Sequence, residues 1–339
     1  MTHILQDFSL KSLNTFHIDC TAKYFVQVYN VSQLIEFLKT GLASSLPILP
    51  LGGGSNILFT KHFEGIVVHL QNKSIDITNK TNEHIFVKAS AGENWQEFVS
   101  YCVQNNWGGL ENLSLIPGNV GSSPIQNIGA YGVEVKDTFH MLEALEIATG
   151  KIKTFTKEEC AFGYRNSVFK NEAKGKYIIL SVTFKLSLNP ILNTEYGAIS
   201  TQLAEMQIEK PTVKDISQAV CAIRNSKLPN PEITGNAGSF FKNPSITNEQ
   251  AEELQTKYPS IPLYPQTENV MKVAAGWLIE ECGWRGHREG NVGVHDKQAL
   301  VLVNLGNASG AEVFNLAKKI QASVLDKFGI HLEMEVNIL

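Results

Sequence analysis

Apolar residues along the first 190 positions recur mostly at the short period of strands, and beyond residue 211 mostly at the longer period of helices. "AKYFVQVY" (22–29) is rich in β-formers, and "VSQLIEFLKTGL" (31–42) has the spacing of a helix, predicted to end at Gly41. "LPILPLGGG" reads as a strand running into a turn, and "GIVVHL" (65–70) and "HIFVKASAG" (84–92) read as further strands. In "NWQEFVSYCVQNNW" (94–107) apolar residues fall at i, i+3, i+4 and i+7, which predicts a helix capped by Asn94. "FHMLEALEIATGKIKTF" predicts a hairpin turning at Thr149 and Gly150, and "KYIILSVTFKL" another long strand. From 211 on, "TVKDISQAVCAIRNSKL", "AEELQTKY", "VAAGWLIEECG" and "GAEVFNLAKKIQASVLDKFG" read as helices, with "QALVLVN" as a strand. The last ten residues, "IHLEMEVNIL", alternate like a strand able to rejoin an earlier sheet. The pattern predicts an α+β chain with a first domain over 1–190, itself in two parts of about 1–70 and 71–190. A polar connector (191–210) leads into a second domain ending near 325, followed by a tail over 326–339.

Composition narrows the class without naming a function. The 339 residues are 43% hydrophobic and 18% charged, as in ordinary globular proteins, with a net charge of −4. Nothing there points to nucleic acid or a membrane surface as the main partner. Five widely spaced cysteines, Cys20, Cys102, Cys160, Cys221 and Cys282, argue against a disulfide framework and a structural zinc site. "CGWRGHREGNVGVH" (282–295) holds one Cys and two His, but at no spacing that closes a tetrahedral zinc site, so no metal is expected. The N-terminus lacks a secretory pattern and no run of about 18 apolar residues exists, so a reducing cytoplasm is the expectation.

Two glycine-dense stretches carry the candidate chemistry. In "LPILPLGGGSNILF" (46–59) three glycines follow one apolar run and, with Ser55 and Asn56, precede another. Glycine loses the most conformational freedom on folding, so a triple glycine implies a tight turn or a backbone that must approach something closely. The second stretch, "GGLENLSLIPGNVGSSPIQNIGAYG" (108–132), carries no charge except Glu111. Read alone it is either a surface loop or a loop that wraps a ligand with backbone amides and small hydroxyls, Ser122 and Ser123 suiting phosphate oxygens. Neither stretch is a Walker A or a G-x-G-x-x-G motif. Together they suggest a pyrophosphate held from two sides.

Six blocks in order carry a resemblance: "NTF" (14–16), "PLGGGSN" (50–56), "IPGNVGSSPIQNIGAYG" (116–132), "FGYRNSVF" (162–169), "AGSFFKNP" (237–244) and "VHDKQALVLVN" (294–304). The chain thereby resembles, from Asn14 to Glu335, the UDP-N-acetylenolpyruvoylglucosamine reductases, also called UDP-N-acetylmuramate dehydrogenases. The resemblance implies an FAD-binding domain of the vanillyl-alcohol-oxidase/PCMH type over 1–190. It also implies a separate α+β substrate-binding domain and a C-terminal strand returning to the first domain near the active site. Gly52, Gly53, Gly54, Ser55 and Asn56 would form the turn at the FAD pyrophosphate. Pro117, Gly118, Asn119, Gly121, Ser122, Ser123, Gln126, Asn127, Ile128 and Gly129 would wrap the other side of the flavin. "GGGSNILFT" contains neither His nor Cys, which favours non-covalent FAD.

The implied reaction uses NADPH to reduce FAD; flavin N5 then gives hydride to the terminal enolpyruvyl carbon of UDP-N-acetylglucosamine enolpyruvate, and protonation of the neighbouring carbon yields UDP-N-acetylmuramate for peptidoglycan. Ser239 corresponds to the family's proton donor, Arg165 to its active-site arginine and Glu335 to its active-site glutamate. Glu333 and Glu335 share a face on an alternating strand, so spacing alone does not separate them. Met334 stands where the family usually has proline. Lys242 and Asn243 are candidates to polarise or orient Ser239 and to touch substrate. Tyr196 matches the mobile tyrosine of the family's first type, and Lys227 and Arg224 suit the substrate diphosphate. Gln298 would contact the sugar or the nicotinamide nucleotide, while Tyr164 serves equally as packing. A monomer in a bacterial cytoplasm is expected. A flavin oxidase of the same superfamily and a non-catalytic sugar-nucleotide-binding protein are the competing readings.

Overall fold

The β-rich first part of the chain builds two sheets in the computed structural model, which describes residues 3–339. A four-stranded sheet has the order Ile4–Ser9, Thr21–Val28, Phe63–Leu70, Ile48–Leu51, the last pair parallel with Ile48 beside Ile66 and Leu51 beside His69. Helix Val31–Leu38 packs its apolar stripe, Leu34 and Phe37, onto Val26, Val28, Ile66 and Val68 of that sheet. This helix stops three residues before Gly41, which instead opens a second short helix, Gly41–Ser45. The reason is local: Thr40 takes an extended ψ of 148° and its hydroxyl accepts the Ala43 N–H, so it caps a new helix.

The second sheet is antiparallel, in the order Ile152–Thr156, Phe139–Glu146, Tyr177–Ser187, His84–Ser90, Ile75–Lys80. The hairpin at Thr149 and Gly150 forms as its sequence predicts, Gly150 supplying φ +66°. Helix Trp95–Gln104 begins as expected after Asn94, whose side chain accepts from Glu97 N at 3.0 Å. Its face of Trp95, Phe98, Val99 and Cys102 is buried with Val182 and Phe184. Each such large side chain contributes roughly 1.5–3 kcal/mol by leaving water. The Trp95 indole N–H donates to Leu113 O at 2.9 Å, tying this core to the second glycine stretch.

By its internal contacts the chain divides into two units. The first comprises the residues up to Phe8, Ala22–Gly54 and Glu64–Ser226. It therefore includes 191–226, which the sequence pattern groups with the second domain. Helices Gly197–Glu205 and Val213–Lys227 explain the difference: Ile199, Leu203, Ile216, Val220 and Ile223 form one small core with Tyr131. Ser217 also hydrogen-bonds Ser114, at 2.8 Å.

The second unit comprises Ser9–Thr21, Ser55–Phe63 and Lys227–Leu339. Its longest helix, Gly310–Phe328, buries Val313, Leu316, Ile320 and Val324 and ends at Gly329 with φ +67°. A Cβ on Gly310 would lie 1.7 Å from Phe59 O, so only glycine lets this helix start against the 55–63 segment. The tail fulfils its alternation only in part. Asn337–Ile338 pairs in parallel with Ile57–Leu58, and Thr60 N–H donates to Leu339 O at 2.7 Å, which fastens the C-terminus to a strand of the first 70 residues. A hairpin of Leu263–Thr267 and Val270–Val273, joined by Ser245–Thr247, was not legible in the sequence.

Candidate active site

The triple glycine lies at the carboxyl end of the parallel strand Ile48–Leu51, the end at which such strands present ligands. A Cβ on Gly52 would sit 3.0 Å from Asn119 Oδ1, and one on Gly53 would sit 3.1 Å from Gly118 Cα. The two glycine stretches therefore meet closely, Gly52 and Gly53 against the Asn119 side chain and Gly53 also against the Gly118 backbone, and the missing side chains of the triple glycine are what allow it. The second stretch is anchored from behind: Trp95 N donates to Gly118 O, Val120 N to Glu93 O, Gly121 N to Ala91 O and Asn119 Nδ2 to Gly92 O. Gly121 has no room for a side chain either, because its Cβ would meet that of Ala91 at 2.5 Å. The one carboxylate of the stretch, Glu111, is buried and accepts the Gly109 N–H at 2.6 Å, and burial pushes its pKa up. The remaining side chains of the stretch carry no charge. Two glycine-rich turns with an uncharged rim fit the pyrophosphate of FAD, held through main-chain groups.

Within the loop the polar residues divide. Ser122 is exposed and donates to Asn119 O, whereas Ser123 is buried and donates to Val120 O. Asn127 is fully buried at φ +44°; its Nδ2 donates to Gly163 O and Glu134 Oε2, and its Oδ1 accepts from Lys136 N. Pro117 is exposed, and Gln126 and Ile128 are half-buried. Gly129 opens a hairpin that turns on Tyr131 and Gly132, both at positive φ.

Arg165 is brought to this loop. It sits at φ +50° in a tight turn closed by Gly163 and Asn166, and its Nη2 donates to Gly129 O at 2.5 Å. A Cβ on Gly129 would lie 2.9 Å from Arg165 Nη1, so this glycine leaves room for the guanidinium. The Tyr164 ring lies 5.3 Å from the Arg165 guanidinium carbon, within range of a cation–π contact. Arg224 is turned inward: its Nε donates to Leu115 O at 3.2 Å, and it lies near enough to Tyr131 for the two to interact electrostatically. Exposed Tyr196 meets Tyr131 edge to face at 5.3 Å. Tyr131, which the sequence reading did not single out, thus links both; its signal was the Tyr-Gly pair inside "NIGAYG". Leu115, Asn127, Tyr131 and Arg165 are all non-glycine residues at positive φ, a concentration of strain typical of binding sites.

The second unit positions the other candidates. Segment 239–242 runs between two neighbours: Ser239 bridges Val301 and Phe240 N donates to Leu300 O, while Phe241 bridges Met334 and Lys242 N donates to Glu333 O. Glu335 N donates to Phe240 O at 2.8 Å, so the segments of Ser239 and Glu335 run side by side. The two glutamates sit in different surroundings. Exposed Glu333 pairs with Lys242, whose side chain is only 13% exposed, and half-buried Glu335 has its carbonyl held by Asn56 Nδ2 at 3.3 Å. Asn243 Oδ1 accepts from Ala275 N, the first residue of helix Ala275–Glu281. Gln298 is half-buried and accepts from Leu300 N, Lys227 is exposed, and Ser55 is half-buried. Cys282 and His287 make separate contacts, with Ser323 O and Trp284 respectively. Among the described residues, no three His, Cys, Asp or Glu gather as a metal site, and no helix is long and apolar enough to cross a membrane.

Comparison with known proteins agrees with this architecture. Residues 22–156 match the FAD-binding domain family, and residues 230–339 match the C-terminal domain of UDP-N-acetylenolpyruvoylglucosamine reductase. An FAD-binding domain of the p-cresol methylhydroxylase type followed by this second domain defines an FAD-dependent oxidoreductase. UDP-N-acetylenolpyruvoylglucosamine reductase of Flavobacterium johnsoniae is 50% identical over 99% of both chains, and that of Amoebophilus asiaticus 51% over 98% of both. The chain belongs to the UDP-N-acetylenolpyruvoylglucosamine reductase family. The crystal structure of the Thermus caldophilus reductase covers 100% of this chain and 98% of its own, with TM-score 0.69 and 22% identity, a likeness of fold. Substrate-bound p-cresol methylhydroxylase shares the fold more distantly, at TM-score 0.50 and 13% identity over 96% and 83% of the two chains.

Proposed function

We propose that this protein uses NADPH to reduce the enolpyruvyl ether of UDP-N-acetylglucosamine enolpyruvate, giving UDP-N-acetylmuramate for peptidoglycan synthesis. Non-covalent FAD, held by Gly52, Gly53, Gly54, Gly118 and Asn119, would supply two-electron transfer between the nicotinamide and the enolpyruvyl double bond. Arg165 binds the substrate carboxylate: its planar fork suits a bidentate contact and stays charged while the neighbouring carbon becomes enolate-like. Ser239 gives its hydroxyl proton to that carbon, and Glu335 stabilises the enol form of the carboxyl group. A serine is a weak acid, so its contribution depends on being held within reach of a strongly basic carbon. Lys242, Asn243, Gln298, Lys227, Arg224, Tyr164 and Tyr196 are proposed to orient Ser239 or to hold the sugar nucleotide. The observation that supports the reading is the pairing of segment 239–242 with 333–335, in which Phe240, next to Ser239, lies opposite Glu335, in a chain with two glycine-rich turns suited to a dinucleotide.

The test is Ser239→Ala. Only the second half-reaction needs a proton at carbon, so flavin reduction by NADPH should stay within about twofold of wild type. Reoxidation by the enolpyruvyl substrate should slow by roughly 10²–10⁴, the usual worth of a positioned acid. Equal loss in both half-reactions would remove Ser239 from this role.

A further inference from the structure

We infer that Glu134 is a positioning residue for Arg165, acting through the buried amide of Asn127; the inference rests on the function proposed above. The Arg165 turn hangs from the 125–134 segment by three bonds. Ser167 Oγ donates to Ile125 O at 2.6 Å, Asn127 Nδ2 to Gly163 O at 3.0 Å, and Arg165 Nη2 to Gly129 O at 2.5 Å. Two of these involve single acceptors that any backbone offers. The middle one depends on which way the Asn127 amide faces, because a flipped amide would set its oxygen against the Gly163 carbonyl.

Glu134 shares in fixing that orientation with Lys136 N and Gly163 O. Its Oε2 accepts from Asn127 Nδ2 at 3.1 Å, while Asn127 Oδ1 is taken by Lys136 N at 3.0 Å. The same carboxylate is paired with Lys136 Nζ at 2.6 Å, and Asp137 holds Glu134 from behind by accepting its N–H at 2.8 Å. Glu134 also faces Gly129 across the hairpin, and a Cβ on Gly129 would meet Glu134 Cγ at 2.8 Å and Arg165 Nη1 at 2.9 Å. The glutamate stem and the guanidinium therefore flank one glycine. Removing the carboxylate leaves one N–H of a fully buried Asn127 without its acceptor and loosens the amide, then held only by Lys136 N and Gly163 O. The turn, already strained at Arg165, then hangs from a less firmly held middle anchor. A shift of about 1 Å in a substrate-positioning group can slow a reaction about 10²-fold.

The test compares Glu134→Ala with Glu134→Gln, whose amide oxygen still accepts from Asn127. FAD content, flavin reduction by NADPH and reoxidation by the enolpyruvyl substrate are measured on each holoenzyme. Glu134→Ala should keep its FAD and its reductive rate within about twofold and lose roughly 10–10²-fold in reoxidation. Glu134→Gln should recover most of that loss. If Glu134→Ala reoxidises like wild type, or if it loses FAD and both half-reactions together, the positioning role is overturned. A Gln variant as slow as the Ala variant would overturn the route through Asn127. Wild-type flavin that the substrate fails to reoxidise would overturn the proposed function, and this inference with it.

Discussion

Single residues account for most of the site. Asn14 of "NTF" is buried and closes its own loop, donating to Leu10 O and Ile18 O and accepting from Ile18 N. The glycines at 52, 53, 121 and 129 each face a group that a methyl would strike. His69 shows how burial sets a titration. It is 9% exposed, its Nε2 lies 2.9 Å from the Gln71 amide nitrogen and must accept from it, and burial holds its pKa below the ordinary value. The unfolded chain then binds a proton more readily, at about pH 6.5, than the folded one does. The stability this residue contributes is complete above about pH 6.5 and is lost as the pH falls toward the folded value. Thermal melts across pH 5–8 should show a shallower acid-side decline for His69→Gln than for wild type.

Local signals set the elements reliably where they were self-contained. Asn94 and its helix, the Gly150 hairpin and the long helix closed by Gly329 all form where the sequence predicts them. Ser309 and Glu312 form a reciprocal cap on that long helix, the Ser309 hydroxyl accepting Glu312 N and the Glu312 carboxylate accepting Ser309 N at 2.7 Å. Ser309→Ala should lower the unfolding free energy by about 1 kcal/mol, read from denaturant melts. Elements whose partners lie far away in the chain were less legible. Leu263–Thr267 carries Pro265 and exposed side chains, so nothing local marks it as a strand; its pairing with Val270–Val273 supplies the order. The alternation of the last ten residues forms only short pairings, because its partners are fragments: Phe241, some 90 residues away, and Ile57–Leu58, about 280 away.

At the scale of the molecule, the order of glycine blocks and the "AGSFFKNP" block made the family legible. The contact division was not, since 191–226 joins the first unit through a core that includes Tyr131, a loop residue with no apolar period of its own. Glu134 escaped the sequence because it acts on neighbours brought near by folding, and spacing carries no trace of it. The units hold different parts of the proposed chemistry, Arg165 and the glycine turns in the first, Ser239 and Glu335 in the second. The claim that joins them is a two-step flavin reaction, and anaerobic stopped-flow absorbance near 450 nm tests it most directly. NADPH should bleach the purified yellow protein, and only the enolpyruvyl substrate should restore the colour. A colourless protein, or colour restored by oxygen while the substrate does nothing, would contradict the account.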